Sequence, residues 1–256
     1  MHTLITNDDG IRAPGIKALA QHFRSFGPVT VVAPSEQRSA ASHSLTFHEP
    51  LRILFSNSEP GYVEYAVTGT PADCVMMALF NLMPEPPDII VSGINRGANV
   101  GYDVSYSATI GATLEGIIQG VRSLAVSLVG RDPVHYDTAA IYAGRIANLI
   151  VGNGDTKALE IPKDCLLSLN VPDLALDEIK GLACTAQGKS LYKQCVEKRF
   201  DPWGQPYYWL SGEIPQGVPQ KGSDFEAINN GYVSLTPIHL DQTDYSTMRM
   251  LQQRLQ

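Results

Sequence analysis

Cysteine is scarce in this 256-residue chain: Cys74, Cys165, Cys184 and Cys195 are far apart and form no C-x-x-C pair. That spacing argues against a structural zinc site or a disulfide framework and predicts reduced, mostly buried thiols. Long apolar runs are missing as well. The longest, around "CVMMALFNLM", falls far short of the roughly 20 residues that span a bilayer. Residues 1–6 carry no basic segment leading into an apolar one, so no signal peptide is expected and the chain reads as soluble and cytoplasmic. Basic residues are in deficit: 19 Lys and Arg stand against 26 Asp and Glu, for a formal charge of −7. This argues against a broad basic face for a nucleic-acid polymer or an anionic membrane, while leaving room for a small phosphorylated substrate. Internal repeats and low-complexity segments are also absent.

What is present suits a folded core, with 44% hydrophobic and 18% charged residues in a length fitting one large domain or one domain with an appendage. "HTLIT" predicts a buried strand, and "PGIKALAQHFRSFG" a helix with Pro14 at its start and Gly27 past its end. "PVTVVAP" is a second strand, and "LRILF" and "YVEYAV" pair across the turn-rich "SNSEPG". "TPADCVMMALFNLM" reads as a helix capped by Thr70, with Pro71 in its first turn. "PDIIVSGIN" is a strand running into a Gly-rich loop, followed by the helix "SATIGATLEGIIQGV" and the strand "SLAVSL". A helix over 136–151, with Ile146, Leu149 and Ile150 on one face, and the strand "LLSLNVP" close the series. Apolar strands alternating with helices predict an α/β fold whose parallel sheet is covered on both faces. Beyond residue 178 Gly, Pro and aromatics multiply ("DPWGQPYYWL", "EIPQGVPQKGSD"), and no amphipathic helix is evident before "QTDYSTMRMLQQRLQ". The chain thus divides into an α/β core over 1–177 and, over 178–256, a β-hairpin-rich appendage with a C-terminal helix, suited to reaching another subunit.

Ligands of open parallel sheets bind beyond the carboxyl ends of the strands. There the sequence places Asp8 and Asp9; then Ser35, Arg38, Ser39, Ser42 and Ser44; then Asn95, Asn99 and Asp103. Carboxylate, hydroxyl and amide oxygens suit Mg²⁺, Mn²⁺ or Ca²⁺ rather than zinc or copper. An Asp-Asp-Gly run alone is more often a turn or a helix cap. Neighbouring side chains on a strand also point to opposite faces, so both carboxylates meet one ion only if Gly10 lets the backbone leave strand geometry. The joint occurrence at successive strand ends favours a site. Ser107 or Thr109, at the start of a helix, adds a phosphate-binding end, although an ordinary cap is the default for either alone.

The segments "ITNDDGIRAPGI", "VVAPSEQRSAASHSLT", "VTGTPADCV", "PDIIVSGINRGANVG" and "YSATIGATLEG", in this order and spacing, resemble the survival protein E phosphatases, the stationary-phase nucleotidases. "SDFEAINNGYVSLTPIHLD" extends the resemblance near the C-terminus. The resemblance implies a Rossmann-like core, C-terminal segments exchanged in homodimers or homotetramers, and hydrolysis of nucleoside 5′- and 3′-monophosphates, with short polyphosphate in some members. It implies one divalent ion per subunit, Mg²⁺ or Mn²⁺, held by Asp8, Asp9, Ser39 and Asn95, with Asn95, Ser107 and Thr109 at the phosphate. Asp8 and Asp9 are then the catalytic pair, and either could serve as base for the attacking water. A covalent phospho-enzyme is not expected, because haloacid dehalogenase-type enzymes use D-x-D where this chain has adjacent aspartates. Ala40 and Ala108 depart from the family pattern, standing where glycine is usual, and each adds a methyl that restricts positive φ.

"ACTAQGKS" at 183–190 offers a rival, a relaxed phosphate loop binding ATP through Lys189 and Ser190. It lacks the first glycine, and it needs a strand before and a helix after. A dinucleotide site at "SGINRGANVG" is disfavoured because its glycines, at 93, 97 and 101, miss the G-x-G-x-x-G spacing. A non-catalytic scaffold is disfavoured because all four oxygen ligands are present. His43 is left out of the catalytic set because a lone loop histidine is most often solvated, and His239 because a packing or hinge role suits its segment at least as well as catalysis.

Overall fold

The computed structural model describes residues 1–152, 157–191, 194–212, 216–218 and 220–255, and at 191, 194–195, 211–212 and 216–217 it describes the backbone alone. Its first half alternates β1 (Thr3–Thr6), α1 (Pro14–Phe23), β2 (Val29–Pro34), the hairpin β3 (Ile53–Glu59) and β4 (Tyr62–Val67), α2 (Pro71–Met77), β5 (Ile89–Arg96) and α3 (Ala108–Ile118). Next come β6 (Ser123–Leu128), α4 (Tyr136–Val151), β7 (Cys165–Val171), β8 (Leu182–Cys184), β9 (Ser190–Leu191), β10 (Gln194–Phe200), β11 (Pro206–Gly212) and β12 (Gln216–Gly217). Helix α5 (Asp224–Asn229), β13 (Val233–His239) and α6 (Tyr245–Leu255) end the chain.

The fold is α/β. A nine-stranded sheet runs β3-β4-β2-β1-β5-β6-β7-β13-β8, parallel throughout its centre from β4 to β7. Strand β3 is antiparallel to β4, and β13 is antiparallel to β7. Alternate residues of each central strand feed opposite faces. Ile5, Val31, Val91 and Val126 pack with Ile16, Leu19 and Phe23 of α1 and Ala143 and Ile146 of α4. Leu4, Val32 and Ile90 meet Cys74 and Val75 of α2 and Ala112 of α3, while Ala125 and Leu166 meet Ile110 and Ile117 of α3. Each such fully buried aliphatic or aromatic side chain contributes about 1.5–3 kcal/mol of transfer free energy. Two-sided burial is why these strands read as continuous apolar runs.

After β1 the chain moves to one side of the sheet, through β2 and β4, and later crosses to β5 on the other side. The carboxyl ends of β1 and β5 therefore flank the crevice where the winding reverses, the usual ligand position in such sheets.

Local signals held where the chemistry was local. Thr70 caps α2 through a reciprocal box with Asp73, and the helix continues as a wider turn over Ala78–Leu82. Several expectations are corrected. Helix α1 stops at Phe23, four residues short of Gly27, where Phe26 folds back edge-on against His22 and Phe23. "SNSEPG" is mostly strand, since β3 runs to Glu59 and the chain turns only at Pro60 and Gly61. Leu149 lies 44% exposed instead of sharing the buried face of Ile146 and Ile150. Strand β7 does not close the series, because β13 and β8 extend the sheet beyond it. Cys74 is buried, but Cys165 is half-buried and Cys184, on the edge strand β8, is exposed; the Cys195 side chain lies outside the described residues. Parts of "EIPQGVPQKGSD", residues 213–215 and 219, also lie outside them. Among the described residues no helix is long and apolar enough to cross a membrane.

Candidate active site

The turn after β1 is closed by its own side chains. Asn7 Nδ2 donates to the Gly10 carbonyl (3.0 Å), and the Gly10 N–H donates back to Asn7 Oδ1 (3.2 Å). Gly10 sits at φ +93°, a conformation that only glycine adopts without strain. The chain leaves strand geometry there, so Asp8 and Asp9 need not point to opposite sheet faces. Asp8 is buried and accepts a 2.6 Å hydrogen bond on Oδ1 from the Thr109 hydroxyl of α3. Asp9 is half-buried; its Oδ2 accepts from the Arg96 N–H (2.9 Å) and its Oδ1 from Gln37 Nε2 (3.4 Å).

The loop after β2 is bound into the same corner. The Arg38 N–H donates to the Asp8 carbonyl (2.7 Å), and Gln37 Nε2 also reaches Ser39 Oγ at 2.8 Å. Gln37 thus links Asp9 to Ser39. Further along, Ser42 donates from its N–H to the Tyr106 carbonyl and from Oγ to the Ser105 carbonyl. The approach to α3 is so close that a Cβ on Gly111 would lie 2.4 Å from the Ser42 carbonyl oxygen. His43 is not a solvated loop residue: its Nε2 lies 2.8 Å from Oε2 of Glu115, a buried carboxyl on α3. His239, in contrast, is half-exposed and paired with Asp164 at 3.0 Å.

At the end of β5, half-buried Asn95 donates from Nδ2 to the Gly97 carbonyl (2.9 Å), while no described residue donates to its side-chain oxygen. Asn99 and Asp103 belong elsewhere. Asn99 is held to Ser127 of β6 and Asn170 of β7, and the Asp103 carboxyl is pushed up to about 6 by burial and by the charge of Asp224. Ser107 caps α3, its Oγ accepting from the Ile110 N–H (3.2 Å). The N–H groups of Ala108 and Thr109, in the first turn, have no intrahelical acceptor and carry the positive end of the helix dipole.

Burial raises the Asp8 carboxyl to about 6, with the neighbouring charge of Asp9 adding to the rise and the Thr109 hydroxyl opposing it. Asp9 is raised too, chiefly by burial, against the Arg96 N–H. No other described residue donates to the second oxygen of Asp8. Two adjacent carboxyls held above their ordinary range, with hydroxyl and amide oxygens beside them, fit a hard divalent cation, which would keep both ionised. Among the described residues no three His, Cys, Asp or Glu side chains cluster as a metal site, so neutral oxygens have to complete the set.

Hydrogen bonds therefore link the segments of Asp8, Asp9, Ser39, Asn95 and Thr109, with Ser107 at the head of the same helix. Gln37, Arg96 and Glu115 were missed. Arg96 and Gln37 are sequence neighbours of chosen residues, but Glu115 sits within an ordinary helix and only the fold brings it to His43. The ATP-loop rival fails on context. Residues 183–190 run from β8 into another strand instead of a helix, and Ser190 Oγ already accepts from the Tyr102 N–H (3.0 Å).

Comparison with known proteins gives a consistent picture. The family model for the survival protein SurE matches residues 3–194. The 5′-nucleotidase SurE of Moorella thermoacetica is 47% identical over 98% of this chain and 95% of its own length. That of Geobacter sulfurreducens is 44% identical over 98% and 93%. The crystal structure of the SurE protein from Aquifex aeolicus superposes with a TM-score of 0.83 at 39% identity, covering all of both chains. By sequence and by fold, the chain belongs to the SurE family.

Proposed function

We propose that this protein hydrolyses nucleoside 5′- and 3′-monophosphates, and short polyphosphate, at the crevice between β1 and β5, using one divalent ion, Mg²⁺ or Mn²⁺. The observation that carries the reading is the buried Asp8 carboxyl beside Asp9, one oxygen taken by Thr109 and no other residue among those described donating to the second. The relatives named 5′-nucleotidase SurE support the substrate class. Asp8, Asp9, Ser39 and Asn95 would hold the ion. When bound, it supplies positive charge to the phosphoryl oxygens and lowers the pKa of water.

The chain's own groups do the rest. The free N–H groups at the start of α3, the Ser107 hydroxyl and the Asn95 side chain bind the phosphate oxygens. Thr109 fixes the rotamer of Asp8, while Gln37 and the Arg96 N–H fix Asp9. Either aspartate could accept the proton of the attacking water, since both carboxyls stand where the ion would be held. The test is phosphate release from a nucleotide panel by chelator-stripped protein with each metal restored, beside Asp8→Asn and Asp9→Asn. Undiminished turnover in both variants, or turnover indifferent to metal, refutes the reading.

The assembly reading is a homodimer or homotetramer formed through β10, β11 and α6. On the hairpin Trp203, Trp209 and Leu210 are 83%, 58% and 90% exposed, and helix α6 buries no residue in this chain. Such a surface resembles half of an interface.

A further inference from the structure

Residues 186–190, which the failed ATP reading leaves without a role, lie against the loop that leads into α3. Three side chains from beyond residue 178 close on two residues of that loop. Asp224, at the start of α5 and 1% exposed, accepts from the Gly101 N–H on Oδ2 (2.8 Å). Its Oδ1 accepts from the N–H groups of Gly188 (2.9 Å) and Phe225 (2.8 Å). Gln187 Nε2 donates to the Gly101 carbonyl (2.7 Å), and Ser190 Oγ accepts from the Tyr102 N–H (3.0 Å). Both backbone polar groups of Gly101 are thus taken by the appendage. Hydrogen bonds from N–H groups to a carboxylate are stronger than neutral ones, so a buried Asp224 binds these segments firmly together.

The packing is as close as the bonding. A Cβ on Gly101 would lie 2.5 Å from Ser190 Oγ and 2.7 Å from the Phe225 ring, and one on Gly188 would lie 2.5 Å from Asp224 Oδ1. Glycine at both positions lets the two segments meet, and Gly101 also sits at φ +53°.

From Gly101 the chain makes one tight helical turn to Ser105 and then reaches Ser107. The N–H groups of Tyr106 and Ser107 both donate to the Asp103 carbonyl (3.0 and 3.1 Å). Upstream, Asn99 is held to β6 and β7; downstream, Ser42 donates to the Ser105 and Tyr106 carbonyls. The clamp at 101–102 supports the loop between these two attachments. Because the residues from 101 to 107 form a bonded turn, a shift at the clamp passes to Ser107 and the first turn of α3.

We propose that Asp224, Gln187 and Ser190 are positioning residues for the phosphate-binding end of α3. Each acts through the backbone of Gly101 or Tyr102 and not on the substrate itself. This role rests on the nucleotidase reading, in which the Ser107 hydroxyl and the N–H groups of Ala108 and Thr109 bind phosphate oxygens. It makes the appendage part of the site in its own chain, and Ser190 opens β9, the strand that pairs with β12 at the base of the β10–β11 hairpin.

The experiment measures binding of inorganic phosphate by calorimetry in Mg²⁺, KM and kcat for adenosine 5′-monophosphate, and urea melts, in Gln187→Ala, Ser190→Ala and Asp224→Asn. Asp224→Asn can keep its oxygen towards Gly188 and Phe225, which sets its amide N–H groups against the Gly101 N–H. Gln187 is exposed, so its variant guards against misfolding of the buried one. Each lost bond is expected to raise the phosphate Kd and the KM about two- to tenfold, with kcat changed less. A merely structural clamp would lower the urea midpoint and leave both affinities unmoved. If the unaltered protein hydrolyses the nucleotide and neither affinity changes in Gln187→Ala and Ser190→Ala, the positioning role is wrong and the nucleotidase reading stands. If the unaltered protein hydrolyses no phosphomonoester with any metal, the nucleotidase reading fails and takes the positioning role with it.

Discussion

The rim between β1 and β5 and the β10–β11 hairpin depart from ordinary side-chain sorting in opposite directions. At the rim, polar groups are buried: Asp8, Ser107 and Thr109 are each less than a tenth exposed. On the hairpin large apolar groups are uncovered, with Trp203 and Leu210 more than four-fifths exposed. Burying a carboxylate costs several kcal/mol unless something offsets its charge, and exposing a Trp or Leu forfeits a favourable transfer. Neither arrangement stabilises the isolated chain. The rim's polar groups sit on segments that hydrogen bonds tie together at neighbouring strand ends, whereas the hairpin's apolar groups spread over a ribbon.

The largest effect expected is at the rim. Asp8→Asn should lower kcat on nucleoside monophosphates by about a hundred- to a thousandfold, the range seen when one charge-stabilising group is removed from a preorganised site. Phosphate release assays check this, and a loss below tenfold would put the chemistry elsewhere. The hairpin test comes next. Trp209→Asp with Leu210→Asp should weaken self-association by about thirtyfold or more, as expected for buried anchors of an interface. Analytical ultracentrifugation measures it, and an unaltered protein that sediments as a monomer would end the contrast between the two regions.

A third test separates chemistry from stability within one residue. Without a cation, the folded-state pKa of Asp8 is raised to about 6, above its unfolded value. Ionising it therefore costs stability, and the cost is absent below the unfolded pKa of about 4 and complete above about 6. In chelator, Asp8→Asn should raise unfolding free energy at pH 7–8 by about 1–3 kcal/mol, the gain fading towards pH 4. Added Mg²⁺ should stabilise the unaltered protein and not the variant. Urea melts across pH decide the matter. A variant less stable at pH 8 would mean that Asp8 is a structural carboxylate.

What was legible in the sequence was what short-range physics fixes. Two-sided burial makes β1, β2 and β6 continuous apolar runs, and Thr70 and Ser107 announce helix starts because a capping hydroxyl needs only its own next turn. The turn that carries Asp8 and Asp9 was readable through Gly10, whose positive φ the sequence could require but not display. The illegible parts depend on distant partners. Glu115 looks like any helical glutamate until His43 arrives from another loop, and the Thr109 hydroxyl is spent on Asp8. Strand β13 slips between β7 and β8 by pairings with no local sequence signature. Helix α1 also ends early, where Phe26 packs back onto its last turn, a local ring contact that the helical periodicity does not announce.

The smallest effect sharpens the view of the rim as a place where backbone conformation is held against its preference. Ala40 lies at φ +59° and Ser42 at +52°, the left-handed region, in the loop that brings Ser39 beside Gln37. For a residue with a Cβ this conformation costs about 1–2 kcal/mol, whereas glycine adopts it freely. Glycine also leaves the unfolded chain more conformational freedom, which takes back about 0.4–1 kcal/mol. Ala40→Gly should therefore raise stability by about half a kcal/mol net. The same relief lets residues 38–42 sample more conformations, so KM for nucleotide should rise while kcat changes little. Urea melts and steady-state kinetics on the one variant report both quantities. A destabilised Ala40→Gly with tighter nucleotide binding would mean that the Ala40 methyl packs productively and that the loop carries no strain.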